Sequence, residues 1–229
     1  EEIGRKDVRV GDVVLVEKAG EIIPAVIEVN LAKRPIDTNP FEFPTRCPIC
    51  QTSTVQLDRE VARRCPNLDC PAQVRRRVGH FASKQSLDID GLGEAVVDQL
   101  VSRELVTRLS DLYRLMRKDL LDLEKIGEKS ADNLLRAIET SKTAELWRVI
   151  HGLGIHNVGA TTARDLARAF RSLEELAAAT LDTLVEVDGI GEKSAEGIRS
   201  YFELESNRTM IGELQALGLH PEPPTGQER

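Results

Sequence analysis

Apolar positions change their period along this chain, and the change marks out its parts. Over the first 44 residues they fall in short runs, Val13-Val14-Leu15-Val16 and then Ile22, Ile23, Ala25, Val26, Ile27 and Val29. Lys18-Ala19-Gly20-Glu21 separates the runs, and Gly20 can supply a turn of positive φ, so the pattern predicts a β-hairpin. Two strands bury too little to stand alone, so a larger sheet is expected around them. The chain starts at Glu1 without an initiator methionine, and with the missing partner strands this reads as a piece of a longer polypeptide. Pro35, Pro40 and Pro44 then mark an irregular linker. From about Leu87 to Leu219 the apolar spacing turns helical, in short segments broken by glycine. Pro221, Pro223 and Pro224 stand among polar residues in a tail, 221–229, that reads as a linker.

Composition narrows the classes. Of 229 residues, 41% are hydrophobic and 30% charged, enough apolar surface for a folded chain. Aromatics make up only 3%, which argues against a surface that grips single strands by stacking bases. A net charge of −7 gives no global sign of a nucleic-acid partner, so any such site must be a local patch. No apolar run is long enough to span a membrane and no signal peptide is evident, so a cytoplasmic protein with no membrane partner is expected.

All four cysteines lie between residues 45 and 86. Cys47-Pro-Ile-Cys50 is followed, after 14 residues, by Cys65 and Cys70. Two tight cysteine-bearing turns can bring four thiolates to the corners of a zinc tetrahedron. A pair of disulfides is the alternative, but no secretion signal accompanies the cysteines. Four thiolates leave no place for water, so the zinc is expected to be structural and to hold a segment too small for its own core. Around these cysteines Arg46, Arg59, Arg63, Arg64, Arg75, Arg76, Arg77 and Lys84 outnumber Asp58, Glu60 and Asp69. In an acidic protein this clustering suggests a patch for a phosphate backbone, with Arg75, Arg76 and Arg77 foremost.

The helical part contains a repeat. IGEKSA occurs at Ile126–Ala131 and again at Ile190–Ala195, and two diverged copies join the series. The four corners are Gly91-Leu-Gly93, Lys125-Ile-Gly127, Asn157-Val-Gly159 and Gly189-Ile-Gly191, their last glycines 34, 32 and 32 residues apart. In each, an apolar helix end meets a tight turn and a new helix starts at once with small or polar residues. Glycine lets a ligand's backbone come close, and the first amides of the new helix suit an anion. Lys129, Thr161, Lys193 and Ser194 could add side-chain contacts to the same phosphates. Such corners hold a backbone without reading bases, so the expected partner is double-stranded DNA, bound in a salt-sensitive way. The bland alternative is a helical packing module for protein partners. Lys125 and Asn157 replace the first glycine, and these two copies are expected to be distorted or less engaged. Leu146, Trp147 and Ile150 read as core, and His151 and His156 as surface or capping residues.

These parts in this order resemble the bacterial NAD-dependent DNA ligases. The matching stretches are RVGDVVLVEKAGEIIPAVIEV (Arg9–Val29), FPTRCPIC (Phe43–Cys50), HFASKQSLDIDGLG (His80–Gly93), IGEKSADNLL (Ile126–Leu135) and GLGIHNVGATTARDLA (Gly152–Ala167). The resemblance implies the last strands of an oligonucleotide-binding (OB) barrel over 1–44, a four-cysteine zinc finger over 45–86 and a helix-hairpin-helix domain with four hairpins over 87–220. The fold class expected is mainly α with a small β part. The resemblance further implies that the parent enzyme seals nicks in duplex DNA during replication and repair. There, a lysine in a Lys-x-Asp-Gly motif takes AMP from NAD and magnesium assists. No such motif occurs here, so this chain is expected to clamp nicked DNA as a monomer, binding zinc but neither NAD nor magnesium. A non-enzymatic repair module of hairpins and zinc, or a protein-interaction domain, are the competing readings.

Overall fold

A computed structural model describes residues 2–19, 23–56, 62–67 and 69–223. The expected turn at Gly20, with Glu21 and Ile22, lies outside the described residues, as do Asp58, Arg59, Glu60 and the tail from Pro224 onward. The chain divides into two compact units, Glu1–Asn67 and Leu68–Arg229.

In the first unit, a short helix α1 (Glu2–Arg5) leads to strands β1 (Val14–Ala19) and β2 (Ile23–Val29). They pair antiparallel from Val14 opposite Val29 to Lys18 opposite Pro24, with an irregularity between Leu15 and Val16. Such a bulge bends a ribbon and adds twist. The hairpin is therefore present, but Leu15, Val16, Ile23 and Ile27 remain exposed on it.

What fastens its base is ionic. Arg34 reaches Asp12 at 2.8 Å and Asp7 at 2.7 Å, Arg9 Nε meets Asp7 at 3.0 Å, and the Arg9 amide donates to Asp12 Oδ2 at 2.8 Å. Hydrogen bonds from Arg9 and then Arg34 hold the Asp7 carboxyl down to about 2. No sequence pattern had pointed to these four residues. Two further short strands, β3 (Val55–Gln56) and β4 (Arg63–Arg64), pair antiparallel around the cysteines.

The second unit is helical throughout. Its helices are α2 (Pro71–Ala82), α3 (Glu94–Ser102), α4 (Arg117–Leu121), α5 (Glu128–Ser141), α6 (Leu146–Gly152), α7 (Ala160–Ala169), α8 (Leu173–Ala178), α9 (Leu181–Val185), α10 (Glu192–Glu203) and α11 (Glu205–Ala216). Consecutive helices pair as α2–α3, α4–α5, α6–α7 and α9–α10, while α2 also packs on α6 and α11 on α10. One continuous core runs through them, with Phe81, Leu100, Leu112, Leu134, Ile150, Leu166, Leu184 and Ile198 sealed from solvent. Each such side chain contributes roughly 1.5–3 kcal/mol by burial. Among the described residues no helix is long and apolar enough to cross a membrane.

Three local expectations change. Helix α2 was expected within a zinc module ending at residue 86, yet Val74, Val78, Phe81 and Ala82 are buried in the helical core. Their i, i+4, i+7, i+8 spacing is that of an amphipathic helix. His151, expected at the surface or as a cap, is 8% exposed. Its Nδ1 lies 3.0 Å from the buried Ser86 hydroxyl, and its carbonyl oxygen lies 2.7 Å from His80 Nε2. Trp147, expected in the core with Leu146 and Ile150, is only half-buried, although those two are fully buried.

Candidate nucleic-acid interface and metal centre

The four repeat corners converge on one geometry. In each, the amide of the central apolar residue donates back three positions: Leu92 to Ile89, Ile126 to Leu123, Val158 to Ile155 and Ile190 to Val187. The residue before it takes positive φ, +86° at Gly91, +63° at Lys125, +62° at Asn157 and +77° at Gly189. Positive φ at the second central position is what a type II turn requires. The expected distortion of copies two and three is absent, because Lys125 and Asn157 adopt the glycine conformation themselves. Asparagine tolerates it well, whereas for lysine it costs about 1 kcal/mol. Leu92, Val158 and Ile190 are buried and pin their turns, while Ile126 is half-buried.

The second glycine of every corner caps the following helix. Gly93, Gly127, Gly159 and Gly191 have φ between −75° and −94° with extended ψ, and each accepts the amide four residues on, at 2.9–3.0 Å. Any residue can take that backbone, so conformation does not demand glycine here. Packing does not demand it either: a Cβ built at any of the four meets nothing within 4 Å. Four times over, the chain places its smallest residue at a helix cap that opens onto free space, which a capping preference alone favours only modestly. The first amides of a helix have no partner within it and carry the positive end of its dipole. The corner can therefore take an anion that must approach closely.

The candidate side chains are distributed unevenly. Lys129, Thr161 and Lys193 are exposed beside their corners, and Ser194 is half-buried. Arg75, Arg76 and Arg77 do not form one patch, since successive residues of a helix point about 100° apart. Arg75 is engaged by Asp98 at 2.6 Å and donates to Ser102 at 2.8 Å, tying α2 to α3. Arg77 leans on α11, its Nη2 3.5 Å from Met210 Sδ. Arg76 is exposed, on a concavity it shares with Gly79, Gly93, Glu94 and Ala95 at the first corner.

The cysteines come together. The Sγ atoms of Cys47, Cys50, Cys65 and Cys70 lie within 4.8 Å of one another. Cys50 and Cys65 are 3.4 Å apart, far beyond a disulfide length of about 2.05 Å. Thiolates about 2.3 Å from one zinc ion stand about 3.8 Å from each other, so the cluster fits that ion. Without a cation the thiols ionise unequally. Backbone amides of Cys50 and Ile49 lower the Cys47 thiol, and hydrogen bonding by Thr52 brings Cys50 down to about 6. Burial, with hydrogen bonds to its neighbouring thiols, pushes Cys65 up to about 12. A dication removes that conflict by letting all four ionise together. Zinc here is structural, because four sulfur ligands complete its shell.

Comparison with known proteins agrees with this order of parts. Residues 1–38 match the NAD-dependent DNA ligase OB-fold domain, and residues 46–72 match the NAD-dependent DNA ligase C4 zinc finger domain. Residues 85–140 match a SAM-like helix-hairpin-helix tandem, and 148–211 a helix-hairpin-helix motif. Similar relatives include a DNA ligase 1 of Opitutus terrae, 55% identical over 226 residues, which covers 96% of this chain and 34% of the relative. A DNA ligase of Bacillus pumilus is 47% identical over 95% of this chain and 33% of its own length, and one of Geotalea uraniireducens 44% over 96% and 33%. The chain thus spans about a third of the length of the curated relatives it matches. It carries the OB-fold, C4 zinc-finger and tandem helix-hairpin-helix segments of the NAD-dependent DNA ligase family.

Proposed function

We propose that this chain is the DNA-gripping portion of an NAD-dependent ligase that seals nicks in duplex DNA, acting in the cytoplasm on the nucleoid as a monomer. The observation that carries the reading is the set of capping glycines, four positions that neither backbone angle nor packing requires. Each corner offers helix amides to one phosphate and makes no contact that would read a base, so affinity is independent of sequence. Gly91, Gly93, Gly127, Gly159, Gly189 and Gly191 line the approaches, with Lys129, Thr161, Lys193, Ser194 and Arg76 beside them. The zinc centre holds its loops in shape and takes no part in chemistry. The lysine that takes AMP from NAD in such ligases stands in a Lys-x-Asp-Gly motif, which does not occur in these residues.

Titration of the chain onto nicked and intact duplexes at several salt concentrations tests this. The reading expects affinity that falls linearly in log–log form as salt rises, with a slope of about −0.9 per phosphate contacted. Binding that ignores salt, or no binding, would instead favour helical hairpins serving protein partners.

A further inference from the structure

The four hairpins share a backbone but not a charge. Glu94, Glu128 and Glu192 head the new helices of copies one, two and four, and Asp98, Asp132 and Glu196 stand four residues further on. In copy three the same two positions are Ala160 and Arg164. Three of the acidic residues are already engaged inside their hairpins, Asp98 by Arg75 at 2.6 Å, and Asp132 and Glu128 by Arg117 at 2.7 and 3.4 Å. Arg164 has no counterpart to that pairing. Its guanidinium carbon lies 4.0 Å from the centre of the Trp147 ring, and that of Arg148 lies 4.7 Å from the same ring. Among the described residues no carboxylate pairs with Arg164, which is exposed.

An indole face attracts a guanidinium and restricts its rotamers, while leaving the N–H edge open to solvent. A cation held this way, about 7 Å along the helix from Gly159, has lost side-chain freedom before any ligand arrives. Arg148 shares its ring, but is itself paired with Glu145 at 3.3 Å and donates to the carbonyl oxygens of Lys84 and Ser86, so of the two Arg164 is the cation left for a ligand there. Such a group is suited to an anion with two oxygens, which a guanidinium fork binds in parallel.

We propose that Arg164, stacked on Trp147, is a phosphodiester ligand of the third hairpin, and that this hairpin is the firmest hold on duplex DNA among the four. The proposal rests on the DNA reading above and adds a residue to it. The third corner lacks the acidic residue that heads its siblings, so nothing at its helix start repels the phosphate that its amides bind. The sequence pattern hid this, because Asn157 in place of glycine made copy three look weaker.

Trp147 is the sole tryptophan of the chain, so its fluorescence reports this site alone. The wild-type chain, Arg164→Ala, Ala160→Glu and the control Arg168→Ala would be titrated with duplex DNA across a salt series, following tryptophan emission and, separately, a label on the DNA. Arg168 is the control because it is already paired with Asp165 at 2.9 Å. The expected result is a change of Trp147 emission on binding by the wild type. Arg164→Ala should lose affinity roughly tenfold, the worth of one hydrogen-bonded charge, with a salt slope shallower by about 0.9. Ala160→Glu should weaken binding in the same direction and Arg168→Ala should leave it unchanged. If the wild type binds with its salt slope while Arg164→Ala keeps both affinity and slope, this inference fails and the DNA reading stands. If the wild type binds no duplex even at low salt, the DNA reading itself fails. If Arg164→Ala instead abolishes binding to polyglutamate and leaves DNA binding intact, the cation serves a protein partner and the proposal is overturned.

Discussion

The Ser86 hydroxyl and His151 Nδ1 meet 3.0 Å apart in the interior of the helical unit, joining the segment that leaves α2 to the end of α6. Neighbouring atoms leave little slack. A Cβ added to Gly152 would stand 2.8 Å from Leu87 Cδ1 and 3.2 Å from Phe81 Cδ2. Burial, then the nearby His80, lowers the His151 pKa below its ordinary value of 6.5.

The sign of the resulting pH dependence follows from that direction. A histidine whose pKa is depressed on folding contributes stability that is intact above its unfolded value, near 6.5, and lost as pH falls through the folded one. Thermal melts of the chain should therefore drop between about pH 7.5 and pH 5.5. A His151→Gln variant should show a flatter profile over that window; an identical slope in both would remove His151 as the cause.

Cys65→Ser should release the zinc and loosen the loops that carry Cys47, Cys50 and Cys65. Helix α2 should stay protected, because Val74, Val78 and Phe81 are held in the helical core without help from the metal. Metal analysis together with hydrogen exchange separates the two. A variant that keeps one zinc per chain would contradict the closed four-thiolate shell.

Glycines two positions apart should respond differently to the same change. Gly191→Val meets open space and a backbone that valine adopts, so it should fold with a loss of about 1 kcal/mol or less at the cap, yet bind DNA several-fold more weakly. Gly189→Val forces a β-branched residue to φ +77° and should lower stability by about 1–2 kcal/mol. Melting curves and a binding titration of both variants give the comparison. Full affinity in a folded Gly191→Val chain would argue against phosphate at that corner.

Lys125→Gly should raise the melting temperature, since it removes a left-handed lysine at φ +63°. The gain is held to less than about 1 kcal/mol by the freedom glycine adds to the unfolded chain. Asn157→Gly should be nearer neutral, because asparagine already tolerates φ +62°. Equal gains at the two positions would mean that side-chain type does not set the strain.

Much of this molecule could be read directly. The cysteine spacing led to the four clustered sulfurs, and the repeat led to four corners whose second glycines all cap helices. Where structure and sequence pattern differ, charge or polarity masks packing. The arginine triplet at 75–77 looked like one patch, and it distracted from the apolar stripe that makes α2 a core helix. His151 looked like a surface residue because sequence alone does not reveal that Ser86 closes a hydrogen bond on it. The Asp7, Arg9, Asp12 and Arg34 network joins residues up to 27 positions apart, a distance at which no local pattern gives warning.

The four corners are set in a single continuous core, which fixes the spacing between them. A polyanion that lodges at one corner is thereby tethered to the rest, and each later contact forms at high effective concentration. Avidity of this kind makes single-site loss graded rather than all-or-none, and makes any sliding along the polymer a matter of releasing corners in turn.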